Sequence, residues 1–207
     1  MLIKLHYLCQ KYKLKLKGIL HIGAHMCEER GDYIREGMND SKVIWVEGNS
    51  NIVRKIRAMY PKAIIWDAII SDEDNIPTKL HIANNGQSSS ILDFGTHAGY
   101  YCDIKFVNDL VSVTKTVKTL YKENNIANDF ANFLNIDIQG AELMALKGMG
   151  ELLNNFDYLY LEVNMEELYK DCNMVEEIDE YVAKFGFKRV EIRMTEYKWG
   201  DAFYMKK

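Results

Sequence analysis

Residues 18–32 read GILHIGAHMCEERGD, and the reading of this stretch decides the fold. The apolar run Ile19–Ile22 breaks into Gly23-Ala24-His25, and a polar, helix-compatible segment begins at Glu28. This predicts a strand, a tight turn and a helix start. Small residues at such a turn let a ligand approach the backbone, and the unpaired amides of the new helix face it. A lone Gly-Ala turn also serves as simple packing in many α/β proteins. The added signal is an acidic residue about 20 positions further on, at the end of the next predicted strand. Val43–Val46 is that strand and Glu47 is that residue. In nucleoside-binding α/β folds a carboxylate there accepts hydrogen bonds from ribose hydroxyls.

Toward the N-terminus, MLIKLHYLCQKYKLKLKG is basic and partly apolar. Lys4 and His6 interrupt any signal-peptide core, no small-residue cleavage site follows, and no run anywhere approaches the ~20 apolar residues of a membrane span. Leu2, Leu5, Leu8 and Tyr12 share one helical face, which predicts a helix within residues 1–17 packed on a single domain of residues 18–207. Its lysines are then solvated, or form a basic contact surface.

Downstream, Met26, Arg30, Tyr33, Ile34 and Gly37 recur at helical spacing and predict a helix to about Gly37. Asn49 or Ser50 can cap the next helix, whose stripe Ile52, Val53, Ile56, Met59 and Tyr60 is ended by Pro61. Lys62–Trp66 reads as a third strand. This alternation argues for parallel strands joined by right-handed crossovers, half of a doubly wound sheet. From Asp67 to about Thr116 the pattern loosens, with an acidic turn at Asp72-Glu73-Asp74-Asn75, a strand at Lys79–Ala83 and a polar loop from Asn84 to Ser90. Residues 84–112 are read as an irregular insertion, either a lid or specificity element or a mobile surface loop. Order returns with Val113–Val117 and a short helix around Leu120. Phe133–Ile136 and Asp157–Val163 read as buried strands with a helix through Leu146 between them. Asn173 with Glu176 resembles a capping box before an amphipathic helix carrying Val175, Ile178, Tyr181, Val182 and Phe185, which Gly186 stops. Phe187–Met194 and Ala202–Met205 predict a terminal antiparallel hairpin.

At 207 residues and 48% apolar, the chain can build one substantial core. A formal net charge of −4 offers no general attraction to a phosphate backbone, so nucleic acid is disfavoured. Cys9, Cys27, Cys102 and Cys172 are scattered without a CxxC pair and imply neither a disulfide framework nor a zinc site. They read as reduced thiols of a cytoplasmic protein.

The polar residues gather at predicted strand ends: Gly23 to His25, Glu47, Asp67, Asp137 with Gln139 and Glu142, and Glu162. In open α/β sheets ligands bind there, whereas strand interiors read as nearly free of charge. Asp137-x-Gln-Gly-x-Glu is the most specific piece, because its glycine allows close backbone approach while Asp137 and Gln139 hold a ligand from two sides. The same residues also suit an ordinary helix start, with Asp137 as cap and Glu142 favoured by the helix dipole. His21 and His25 are separated by the Gly23 turn, which removes the shared helical face of a metal pair, so no metal is assigned. Ser88-Ser89-Ser90 lacks a GxSxG elbow, and no GxxxxGK[ST] occurs, which leaves serine hydrolysis and Walker-type phosphoryl transfer unsupported.

Taken in order, GILHIGAH, WVEGN, SSSIL, FLNIDIQGAELMALKG and YLYLEV resemble the FkbM family of class I methyltransferases over about Gly18 to Met205. The segment LNIDIQGAELMALKG matches the family's D-x-[E/Q]-G-x-E-x-x-x-L-x-G pattern at every fixed position. Where the general methyltransferase pattern has Asp at the strand end and a final Gly, this chain has His21 and Cys27. The resemblance implies a Rossmann-like α/β fold: a seven-stranded, mostly parallel sheet with a C-terminal antiparallel hairpin and helices on both faces. It implies S-adenosylmethionine as methyl donor, with Gly23, Ala24 and His25 lining its methionyl and ribose side, Glu47 holding the ribose hydroxyls, and Asp67 and Ala68 near the adenine. Asp137 and Gln139 would be the catalytic pair at the methyl-transfer end, Asp137 orienting or deprotonating a hydroxyl. Ser89, His97, Glu142 and Glu162 are the expected acceptor-side residues. The implied reaction is O-methylation of a sugar, glycan or other small acceptor; the oligomeric state stays open, with a homodimer as one option. Two rival readings are a cofactor-binding partner subunit without catalysis and, less favoured, a nicotinamide-dependent oxidoreductase. The first turn lacks the GxGxxG spacing that the latter needs.

Overall fold

Short apolar runs that cannot bury themselves alone pair side by side, and here they do so around β1 (Ile19–Ile22). The computed structural model describes all of residues 1–207. β1 pairs in parallel with β2 (Val43–Glu47) on one side and with β7 (Phe133–Ile136) on the other, so that Ile19 lies beside both Val43 and Phe133. β3 (Ile64–Asp67) extends the sheet beyond β2, and β8 (Tyr158–Asn164) extends it beyond β7. β10 (Trp199–Lys206) inserts antiparallel between β8 and β9 (Phe187–Met194). The order is β3-β2-β1-β7-β8-β10-β9, a seven-stranded Rossmann-like sheet with its antiparallel hairpin at one edge. The strand order reverses between β1 and β7, and a crevice opens beyond their C-terminal ends.

Period-two alternation sends side chains to two different cores. One face carries Leu20, Ile22, Val46, Leu134, Ile136 and Leu161 beneath helices α5 (Val117–Glu123), α6 (Glu142–Met149) and α7 (Val175–Ala183). The other carries Ile19, Trp45, Phe133 and Phe203 beneath α1 (Leu5–Tyr12), α2 (Arg30–Arg35) and α3 (Ser50–Met59). Leu5 and Leu8 of α1 are fully buried in that second core, where burying a leucine contributes about 1.5–3 kcal/mol. Just before α1, the amides of Leu2 and Ile3 donate to Asp201 and Tyr160, tying the N-terminal segment across β8 and β10.

Several elements depart from the sequence expectations. The turn after β1 runs from Gly23 to Glu29 and α2 starts only at Arg30, so no helix N-terminus abuts Gly23. Asn49 does cap α3, its side chain accepting from the Asn51 amide at 3.0 Å. The box before α7 is shifted by one residue: Glu177 accepts from the Met174 amide at 2.8 Å, while Asn173 donates its own amide to Glu177. The expected irregular stretch 84–112 ends early, because Phe106–Lys115 forms β6. With β4 (Ile69–Ile70) and β5 (Pro77–Ala83), β6 makes a separate three-stranded sheet in the order β4-β6-β5. β6 is mostly exposed and shows no apolar alternation, so backbone pairing to β5 specifies it rather than burial. Residues 84–105, including the one-turn α4 (His97–Tyr100), fold back over the crevice, where Ser90 donates to the Gln139 carbonyl at 2.8 Å.

Candidate active site

Gly23 leaves β1 with φ +88°, and a Cβ there would lie 1.7 Å from the carbonyl oxygen of Asp137, so only glycine fits. The amides expected to face a ligand are occupied: those of Gly23 and Ala24 both donate to the Val46 carbonyl, at 2.9 and 3.0 Å. The next amide, of His25, donates to Glu47 Oε2 at 2.8 Å, and Glu47 Oε1 accepts from the Asn49 amide at 2.7 Å. Glu47 thus fastens the β1 turn to the β2 turn. Burial raises its pKa, against the lowering by these two bonds. Each carboxylate oxygen retains acceptor capacity for a ligand hydroxyl. The His25 ring pairs with Glu28 at 2.5 Å, which raises the imidazole pKa.

Two cavities meet at this turn. The first is a narrow slot of about 70 Å³ walled by Ile22, Val46, Ile52, Ala68, Ile69 and Leu80, with Glu47 on its lining. The second, about 630 Å³, is lined by His21, Glu28, Asn135, Tyr160, Glu162, Asn164, Trp199 and Asp201 from the strands and turn, and by Asn85, Ser88, His97 and Tyr101 from the overlying loop. Gly23, His25, Gln87, Asp137 and Gln139 line both. No lysine or arginine lines either one.

Gln139, held at φ 56°, is the clamp at the junction. Its amide nitrogen donates to Asp137 Oδ1 at 2.7 Å and to Glu162 Oε2 at 2.9 Å, while its oxygen accepts from the Tyr169 hydroxyl at 2.6 Å. The one amide group of Gln139 therefore holds the Asp137 and Glu162 carboxylates side by side, and their titrations influence each other. Loss of solvation among the crowded walls raises the Asp137 pKa although its tip opens to the cavity, and burial with the facing Asp137 charge holds Glu162 well above the carboxylate range. The pair titrates as a unit and carries one negative charge when singly protonated.

The predicted residues do not all converge. Ala68 lines the slot, and Ser89 lines it too, on the slot side rather than in the larger cavity, with its hydroxyl donating to the Gly86 carbonyl at 2.7 Å. Asp67 points outward, accepts from Ser50 at 3.0 Å and lines neither cavity. Ala24 is buried in the second core. Glu142 lines neither cavity, because its carboxylate accepts the amides of Ile138 at 2.9 Å and Gly140 at 3.0 Å and so shapes the loop that presents Gln139. Burial, reinforced by the Asp137 charge, pushes the Glu142 carboxyl up to about 7. His97 and Glu162 lie in the larger cavity.

Buried strand interiors carry little charge beyond Glu162 and Asp201, but they hold a row of neutral polar groups that the sequence reading does not single out. On the second face the apolar layer gives way to His21, Asn135, Tyr160, Glu162, Asn164 and Asp201, all buried. His21 Nδ1 lies 3.0 Å from the Tyr33 hydroxyl, which accepts from Asn135 at 2.8 Å, and burial lowers the His21 pKa. Tyr160 donates to Asp201, which lies opposite Glu162 in the β8–β10 register. The signal was present in Tyr160, Glu162 and Asn164, polar at every second position of an otherwise apolar strand.

This sheet order, with a carboxylate-tied slot and a second cavity meeting at the switch point, defines the class: a Rossmann-like, S-adenosylmethionine-dependent methyltransferase. Residues 21–189 match the methyltransferase FkbM domain, and the chain belongs to the FkbM methyltransferase family. No curated protein matches the sequence. Among solved structures, methyltransferase FkbM from Methylobacillus flagellatus is 14% identical with a TM-score of 0.55, covering 91% of this chain and 43% of its own. An S-adenosylmethionine-dependent methyltransferase from Clostridium acetobutylicum is 7% identical with a TM-score of 0.53, covering 97% and 88%. A magnesium protoporphyrin IX methyltransferase from Synechocystis, solved with bound S-adenosylmethionine, is 8% identical with a TM-score of 0.51, covering 98% and 76%. At these identities the likeness is one of fold. No helix is long and apolar enough to cross a membrane.

Proposed function

We propose that this chain O-methylates a hydroxyl of an uncharged sugar-like or other small acceptor. The observation that carries this reading is the pair of carboxylates, Asp137 and Glu162, clamped by the Gln139 amide where the two cavities meet. S-adenosylmethionine, when bound, supplies an electrophilic methyl group on a sulfonium. The donor set fits it: the aliphatic slot suits an adenine, Glu47 has acceptor capacity for ribose hydroxyls, and the carboxylates around Asp137 favour a cationic sulfonium. Asp137 accepts the hydrogen bond of the acceptor hydroxyl and takes its proton as the oxygen attacks, while Gln139 keeps the carboxylate aimed. A lining with five carboxylates and no lysine or arginine disfavours phosphorylated acceptors and nucleic acid. The four unpaired cysteines fit the cytoplasmic reading.

The test is thermal unfolding with S-adenosylhomocysteine, with NAD as control, followed by transfer of labelled methyl from S-adenosylmethionine to neutral hydroxylated acceptors. Ligand at about 100 times its Kd adds ~2.7 kcal/mol. In a domain of this size that raises Tm by roughly 5–10 °C. A shift with NAD alone, or label recovered on nitrogen or carbon, overturns the proposal.

A further inference from the structure

Asn164 ends β8 inside the larger cavity, one alternation beyond Glu162 on the same face of the strand. It is 1% exposed, and neither its amide nitrogen nor its amide oxygen has a hydrogen-bond partner. Buried polar groups are nearly always paired, and an amide with both halves unpaired lowers stability relative to an apolar side chain of the same shape. His97, contributed by the overlying loop, repeats the anomaly: it is 5% exposed, lines the same cavity and has an unpartnered Nδ1. Its ring is stacked on Phe94 at 4.4 Å, which fixes the plane of the imidazole. Trp199 lies directly opposite Asn164 and donates to the Tyr101 hydroxyl at 3.0 Å, so both aromatic rings are held in place on the cavity wall.

We propose that Asn164 is a specificity-determining residue, which reads a hydroxyl of the acceptor neighbouring the one that faces Asp137, and that His97 completes this subsite. The inference rests on the O-methyltransferase reading above. An amide offers one donor group and one acceptor group on the same plane, and an alcohol hydroxyl can answer both. A carboxylate or fully ionised phosphate has no proton for Asn164 Oδ1, and it would sit among Glu162, Asp137 and Asp201 with no lysine or arginine on the wall and the Met1 ammonium already paired with Glu29. An ammonium group has no lone pair for Asn164 Nδ2. About two residues of strand, roughly 6.5 Å, separate Asn164 from Glu162, so the hydroxyl it reads lies a few bonds from the one that faces the carboxylate pair. A site that hydrogen-bonds a hydroxyl strongly rejects analogues lacking it.

The experiment is a two-stage titration of the full chain. S-adenosylhomocysteine is added first, and the saturated protein is then titrated with methyl hexopyranosides and their 6-phosphates, followed by calorimetry and ligand-observed NMR. Wild type is expected to bind at least one neutral methyl hexopyranoside, and the matching 6-phosphate at least about tenfold more weakly. Asn164→Leu should weaken the neutral ligand roughly 10- to 100-fold while leaving S-adenosylhomocysteine affinity unchanged and Tm unchanged or raised. Asn164→Ser, smaller and still polar, should fall between them and serves if the leucine variant fails to fold. Equal binding by the leucine variant, equal binding of the phosphates, or no neutral glycoside bound by the loaded protein overturns the inference. Failure of S-adenosylhomocysteine to bind in the first stage instead breaks the methyltransferase reading, and the inference falls with it.

Discussion

The slot and the larger cavity share Gly23, Asp137 and Gln139, yet they are built by opposite rules. The slot is made at strand ends from short-range geometry: a glycine that cannot carry a Cβ, an aliphatic wall, and Glu47 holding two adjacent turns. The larger cavity is made within strands, where the second face of the sheet exchanges its apolar layer for a row of buried polar groups under a folded-back loop. A slot of this kind depends on backbone shape, so few side chains carry its specificity. The larger cavity depends on desolvated polar groups drawn from four strands, so removing a paired one leaves its partner unsatisfied, and the titrations of its carboxylates are linked.

The comparison is broken most forcefully at the shared wall. Asp137→Asn should lower the methyl-transfer rate by about 10²–10⁴-fold, the usual contribution of a positioned base, while the S-adenosylhomocysteine shift in Tm survives. Loss of both would mean that Asp137 belongs to the slot. Next in size, Glu47→Ala should weaken S-adenosylhomocysteine about 10- to 100-fold by calorimetry, matching the loss of hydrogen bonds to a charged group at ~1.5–3 kcal/mol. It should leave the acceptor KM unchanged at saturating cofactor. An unchanged cofactor affinity would remove Glu47 from the slot's chemistry and leave it a structural tie.

The smallest effect concerns pH. Glu142, Asp137 and Glu162 all have pKa values raised in the folded protein, so the folded state binds more protons than the unfolded one. Their favourable contribution is therefore full below the ordinary carboxylate value and is lost as pH rises through the raised values, for Glu142 from 4.5 to about 7. Tm should fall across that interval by an amount that Glu142→Gln reduces. A Tm that rises there, with other groups held constant by the variant comparison, would contradict buried, raised carboxylates. Turnover should respond to pH with the opposite sign, rising as Asp137 loses the proton that its raised pKa retains, because only the carboxylate can take the proton of the acceptor hydroxyl.

Much of the slot is legible in the sequence. Gly23 after an apolar run and Glu47 after the next are local signals, and the strands β1, β2, β7 and β8 stood out as short apolar runs between turn residues. What such reading does not supply is the direction in which a side chain points. Asp67 follows a strand like the others, but it faces solvent, and Glu142 turns back to its own loop amides. The box before α7 shifted by one residue because Asn173 and Met174 compete for the same cap and only packing decides between them. β6 was hidden because an exposed strand carries no alternation to read.

The amino-acid sequence alone determined the alternation of strands and helices, the glycine turn, the family motif around Asp137 and the carboxylate at Glu47, because each is encoded within a few residues of itself. Only the tertiary structure decided that Asn164, Trp199 and His97 line one cavity and that Gln139 bridges Asp137 and Glu162. Those relations join residues far apart in the chain, and they exist only once strand register has set which side chains meet and burial has stripped them of water.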